Sequence, residues 1–162
     1  MSEGRGRHLR YESGVFTDYH IPILQALVDG LQTIEEIAQK LGKKTGRIDR
    51  LRGEITSTFA DRGLGKDNIA KAVVHAVVHD LVKFDVIDRI RPKRSFSDRE
   101  TNVLTAVALG LDNRQIADHL SITKEEVKED LLGIMENLGV RSRYTALAWG
   151  LRRSLQKLQK TK

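Results

Sequence analysis

The sequence predicts an all-α fold built from two tandem four-helix domains, and three observations lead there. Apolar residues recur at helical spacing along the chain, and no stretch keeps the alternation of a half-buried strand. Two stretches repeat: "FTDYHIPILQALVDGL" at 16–31 and "FSDRETNVLTAVALGL" at 96–111 share Phe16/Phe96, Asp18/Asp98, Leu24/Leu104, Ala26/Ala106, Gly30/Gly110 and Leu31/Leu111. One inserted residue later, "EIAQKL" at 36–41 pairs with "QIADHL" at 115–120. Only two prolines and 5% aromatic residues also suit helices.

The first copy reads as helices over about 17–29, 33–41, 45–60 and 67–84. "DRIRPKRS" at 88–95 is charged and holds a proline, which marks it as a linker. In the second copy Ser97 caps a helix to about Leu109, with Glu100 three residues on completing a capping box, and Gly110 ends it. Asn113–Leu120 follows, Thr123 caps a third helix stopped by Gly139, and Ser142 caps the last to about Leu158. The chain thus divides into a basic arm (1–13), a first domain (14–87), a basic linker (88–95), a second domain (96–158) and a basic tail (159–162).

With 162 residues, the chain has enough length for two small cores. No apolar run approaches the ~20 residues that span a bilayer, and the start "MSEGRGRHLR" lacks a signal-peptide core, so a cytoplasmic protein without membrane contact is expected. The absence of cysteine excludes disulfides, thiolate zinc and thiol nucleophiles. A net charge of +6 and a pI near 9.7 permit a polyanionic partner.

The second and third helices of each copy, joined by a short turn, form the arrangement in which one helix crosses the phosphates and the next enters the major groove. The second copy resembles the LuxR/GerE family of four-helix DNA-binding domains. The residues that carry this are "SDRE" with Val103 and Leu104, "GLDNRQIADHLSIT", then Val127, Lys128 and Ile134, and "LGVRSR". The first copy looks like a diverged member: it keeps "FTD", "EIAQKLG", Ile48, Ile55 and "GLG", but lacks "RSR". The resemblance implies a transcription regulator whose third helix lies in the groove and whose fourth often forms a dimer. By matching positions it makes Asn113, Arg114, Thr123, Val127, Lys128, Arg141 and Arg143 candidates for DNA contact. The family usually has threonine, histidine and lysine where this chain has Glu126, Asp130 and Asn137.

The two third helices differ in charge. In the second copy Val127, Leu131, Ile134 and Leu138 form the inward stripe, and residues 124–136 carry two lysines against five carboxylates. A unit charge about 8 Å from a phosphate is worth roughly 0.5 kcal/mol in water, so several such repulsions cancel the lysines. The capping box explains Glu125 and Glu126, and leaves Glu129, Asp130 and Glu136 without a reason. A solvated acidic face, a protein-docking face of Glu125, Glu129, Leu132, Met135 and Glu136, and DNA reading despite the charge all stay open. In the first copy, residues 43–54 hold five basic groups against two acidic ones. Lys43, Lys44, Thr45, Arg47 and Arg50 are DNA candidates, with Gly46 and Gly53 allowing close backbone approach. A solvated basic helix is the plainer alternative. The arm with Arg5, Arg7 and Arg10, and the linker with Arg89, Arg91, Lys93 and Arg94, can add phosphate contacts.

No catalytic set stands out, so no enzyme, metal or cofactor is expected. His75 and His79 lie one helical turn apart without a third ligand, and "GLGK" at 63–66 lacks the preceding strand of a phosphate loop. Both fourth helices carry more apolar surface than one small core needs. Val74, Val78, Leu147, Trp149 and Leu151 are therefore dimerisation candidates, either within the chain as a pseudo-dimer or between chains as a homodimer. The expected function is DNA-binding transcription regulation, with double-stranded DNA met mainly by the first domain and the second domain used for dimerisation or docking. The alternative is an adaptor or antagonist of a regulator or RNA polymerase, with little DNA affinity.

Overall fold

The computed structural model describes residues 15–62 and 65–160. Among these residues the chain forms nine helices and no strand: α1 (Ile21–Val28), α2 (Ile34–Leu41), α3 (Thr45–Phe59), α4 (Asn68–Val78), α5 (Asp85–Arg89), α6 (Asp98–Ala108), α7 (Asn113–Leu120), α8 (Lys124–Leu138) and α9 (Arg143–Lys160). Local sequence sets most boundaries. Reciprocal capping boxes open α2 (Thr33 with Glu36), α6 (Ser97 with Glu100), α7 (Asp112 with Gln115) and α8 (Thr123 with Glu126). Left-handed residues close α2 at Gly42 and α7 at Ser121, which frees the chain to turn sharply into the next helix.

Three boundaries depart from the sequence-based expectation. α1 starts at Ile21 and not near 17, because Pro22 suits the first helical turn while Thr17–His20 forms a tight turn held by the bond from the His20 N–H to the Thr17 carbonyl. α4 ends at Val78 and not near 84, since Asp80 takes a left-handed φ of 52° that no helix continues through. The residues beyond it form α5, a short helix that the apolar pattern did not reveal and that overlaps the start of the expected linker.

One continuous core joins residues from all four helices of each half. α4 packs along α9, α1 also meets α9, and α4 also meets α6, so each fourth helix touches the first helix of both halves. Of the expected dimerisation residues, Leu147 and Trp149 are buried, Trp149 with its ring 5.5 Å from that of Phe96 in its own half, Val74 and Leu151 are half-buried and Val78 is exposed. Burial of a large apolar side chain contributes roughly 1.5–3 kcal/mol, so the seam is a substantial part of the core. At its tightest point a Cβ on Gly65 would lie 1.8 Å from the Gly110 carbonyl oxygen, a backbone approach only glycine allows.

The 88–95 segment is strapped down. Asn137 of α8 accepts from the Arg94 N–H at 2.9 Å and donates to the Arg94 carbonyl at 3.0 Å, and the Lys93 N–H donates to the Asn137 backbone. The Arg94 guanidinium grips Glu100, and Arg91 donates to the carbonyls of Asp88 and Ile90. The linker arginines expected along the phosphates are thus in part engaged within the protein. Asn137, one of the departures from the LuxR/GerE pattern, has a structural task.

Candidate nucleic-acid interface

Each third helix presents one face to the core and one to solvent. α3 buries Ile48, Leu51, Ile55 and Phe59. Its outer surface and the turn before it expose Lys43, Lys44, Thr45, Gly46, Arg47, Arg50 and Gly53 together. Arg47 lies over the Tyr19 ring at 5.0 Å, which orders its guanidinium while leaving it exposed. Arg50 makes only a loose contact with Glu54, at 3.9 Å and with two-thirds of its side chain exposed. The start of the helix is open: no side chain caps it at Lys44 and no acidic residue lies in its first turn. The positive end of the macrodipole, free of any side-chain cap, and two lysines therefore converge at one spot, an arrangement that suits a phosphate.

α8 is built oppositely. Its start is filled by the Thr123–Glu126 capping box, with Glu125 alongside. Hydrogen bonds with the backbone and side chain of Thr123 hold the Glu126 carboxyl below its ordinary pKa, and the charge of Arg99 adds to this. Arg99 also donates from Nη2 to Asp130 Oδ1 at 2.9 Å, with Nε 2.7 Å from Oδ2 as an ion pair, and approaches Glu126 at 3.4 Å. Asp130 is buried by this pairing. Two of the carboxylates counted on this helix in the sequence are thus matched by an arginine of α6, which the one-helix reading could not see. What remains outward is Glu125, Glu129 and Glu136 with Lys124 and Lys128, around Leu132, which is 55% exposed; Met135 is half-buried at the flank.

The positions carried over from the family pattern scatter. Val127 is fully buried under α8, so its side chain meets the core and no duplex, which corrects that expectation. Thr123 spends its hydroxyl on the helix cap. Arg143 donates to Asn113 at 2.7 Å and to the Leu111 carbonyl, and lies 3.7 Å from Asp67 of the first half. Tyr144 donates to the same Asp67 at 3.1 Å; burial first, then the Asp67 charge, raises its phenol above the ordinary range. Arg141 donates to Glu36 of α2 at 3.0 Å, and Gln32 donates to the Arg141 carbonyl. Glu36 sits at about 2, held there mainly by the backbone N–H groups of Gln32 and Thr33 and then by Arg141. Among the described residues, Arg114 and Lys128 are the members of that set that are exposed with no partner of this kind. Of the basic arm, Arg5, Arg7 and Arg10 lie outside the described residues.

Sequence reading left open whether the fourth helices pair within the chain, and it missed the polar contacts across the seam. Asp67, Glu36 and Gln115 are first-turn or cap residues, and the caps could be read locally, but their second use across the halves could not. The His75 and His79 rings lie 4.3 Å apart, tilted by 39°, His75 packs edge-on against Phe16 and Phe59, and burial lowers the His75 pKa.

Comparison with known proteins agrees with the helix arrangement of the second half. Residues 94–149 match the model of the bacterial regulatory proteins of the luxR family (GerE). The chain is 37% identical over 73 residues to a nitrate/nitrite response regulator protein homolog of Haemophilus influenzae, across 43% of this chain and 35% of that protein. It is 41% identical over 59 residues to the HTH-type transcriptional activator RamA of Corynebacterium glutamicum, across 36% and 21%. It is 40% identical over 55 residues to the nitrate/nitrite response regulator protein NarP of Escherichia coli, across 34% and 26%. The chain therefore spans about a third or less of the length of these relatives. No solved structure matches it. The second half of this chain carries a LuxR/GerE-type helix-turn-helix domain.

Proposed function

We propose that the protein is a DNA-binding transcription regulator whose first half supplies most of the duplex contact. In this reading 14–87 is a diverged copy of the LuxR/GerE-type domain, and the fourth helices make an internal pseudo-dimer. Several repeated details support the copy: α2 and α7 have eight residues each, α3 and α8 fifteen each, and Gly30 and Gly110 share positive φ in the equivalent turn. The relatives named as response regulators and a transcriptional activator support the class.

The observation that carries the assignment to α3 is its uncapped, lysine-flanked start beside exposed Arg47 and Arg50. Lys43 and Lys44 would neutralise phosphates, and Arg47 and Arg50 would reach phosphates or guanine edges. The outer face of α8, with Leu132 ringed by Glu125, Glu129 and Glu136, serves better as a protein-docking surface, which also favours the adaptor as the second reading.

Fluorescence anisotropy with a labelled duplex separates the two. Four phosphate-directed cations lower affinity roughly 100-fold between 50 and 200 mM salt. Arg47→Glu with Arg50→Glu removes about 1–3 kcal/mol per contact, a loss of roughly 100-fold, and flattens the salt slope by about two. Glu125→Gln with Glu129→Gln leaves affinity within about sixfold, since two charges of roughly 0.5 kcal/mol each at that distance in water sum to about 1 kcal/mol. Salt-insensitive, weak binding that is indifferent to Arg47 and Arg50 would instead establish the adaptor.

A further inference from the structure

We infer that one chain is by itself the complete DNA-binding unit and that it reads a single, non-palindromic half-site, with α8 making no base contact on the neighbouring turn of the duplex. The inference rests on the reading of α3 proposed above and says what kind of operator that surface selects.

Its first support is the seam. Symmetric regulators place two reading helices side by side by pairing two copies, and their operators are palindromic because the two heads are identical. Here the α9 face turned toward the first half is covered from within: where α9 packs on α1 and α4, Thr145 is buried with its hydroxyl donating to the Leu27 carbonyl, and Tyr144 donates to Asp67 at the start of α4. The loops lock the halves in the same sense from both sides. The Lys66 N–H donates to Gln115 of α7 at 3.0 Å and the Asp67 N–H to the Gly110 carbonyl at 2.8 Å; in the other direction Arg141 donates to Glu36 of α2. Glu36 and Gln115 are the residues paired by the sequence repeat, and each receives the loop of the opposite half. Two reading heads are therefore fixed relative to each other in one chain, without a second copy.

The second support is that these heads are not alike. The α3 start is open and lysine-flanked, while the α8 start is closed by its own carboxylates. Arg141 and Arg143, cations that could assist α8 on a backbone, are committed to Glu36, Asn113 and the Asp67 side of the seam. A duplex laid along both heads meets a basic surface at one, while at the other the exposed cations Arg114, Lys124 and Lys128 are offset by Glu125, Glu129 and Glu136. Recognition stops after the first.

The test is selection from a random-sequence duplex library with the full chain, followed by sedimentation velocity on the selected duplex. The expected result is one sequence block shorter than a helical turn of about 10 base pairs, without an inverted repeat, bound by one chain. An inverted repeat with its halves about 10 base pairs apart, or two chains per duplex, overturns the inference while leaving duplex contact by α3 standing. No enrichment of any sequence and no duplex affinity would overturn both. A second arm carries Glu125→Lys, Glu129→Lys and Glu136→Lys, all at exposed positions, on the selected block with flanking DNA. The hydroxyl-radical footprint should then lengthen on one side by about one turn; an unchanged footprint would show that charge does not silence α8 and would overturn the inference.

Discussion

α3 and α8 have the same length and the same relation to their cores, yet they meet solvent with opposite chemistry. Both bury an apolar stripe at helical spacing, Ile48, Leu51, Ile55 and Phe59 in one, and Val127, Leu131, Ile134 and Leu138 in the other. The difference begins at the first residue. α8 is stabilised locally by its capping box and by carboxylates at the positive end of its dipole. α3 forgoes both, starts among lysines, and carries glycines at 46 and 53 with nothing within 4 Å of the place a Cβ would occupy. What stabilises a helix in isolation and what prepares it for a polyanion are here in conflict, and the two helices resolve that conflict differently.

The largest effect is expected where the halves touch. Gly65→Ala would drive its Cβ into the Gly110 carbonyl, at a cost of about 3 kcal/mol. Thermal unfolding should fall by roughly 6–12 °C for a chain of this size. If the melting temperature were unchanged, the seam would not hold the two helices as one body.

Next come the glycines of α3. Gly46→Ala with Gly53→Ala should raise stability by about 1–2 kcal/mol, Gly53 contributing more because Gly46 lies in the first turn. Denaturant melts would report this. The same double variant should bind duplex more weakly, since the added methyl groups hinder close backbone approach; a gain in both stability and affinity would show that the glycines serve no contact.

A smaller, pH-dependent effect separates the frame of the α8 half from the seam. The Arg94 guanidinium, and then the Ser97 cap, hold Glu100 at about 2, well below an unfolded glutamate near 4.3. Because the folded pKa is depressed, the stability from this group is fully present above about pH 4.5 and is lost as pH falls toward 2. Melting temperature against pH should therefore decline less steeply over that window in Glu100→Gln than in the native protein. Equal slopes would place the Arg94–Glu100 pair outside the stability of this half.

How much of this was legible in the sequence follows from the range of each interaction. Ser97 with Glu100 and Thr123 with Glu126 are three residues apart, so the caps could be read directly, and the α3 and α8 core stripes follow from a single helical period. The opposed charge of the two outer faces was legible too. Arg99 matching Asp130 and Glu126 was not, because the pair joins different helices and depends on how α6 and α8 cross. Nor was the internal use of Arg141, Arg143 and Asn113: a family pattern places cations at these positions, and only packing of the two halves shows that Glu36 and Asp67 stand opposite them. α5 escaped because five residues are too few to show a period.

The claim that α3 carries the duplex contact is tested most directly by amide hydrogen exchange on the full chain, with and without duplex. Exchange in 43–54 should slow on addition of DNA while 124–136 stays unchanged. Slowing confined to 124–136, with 43–54 unaffected, would contradict the account.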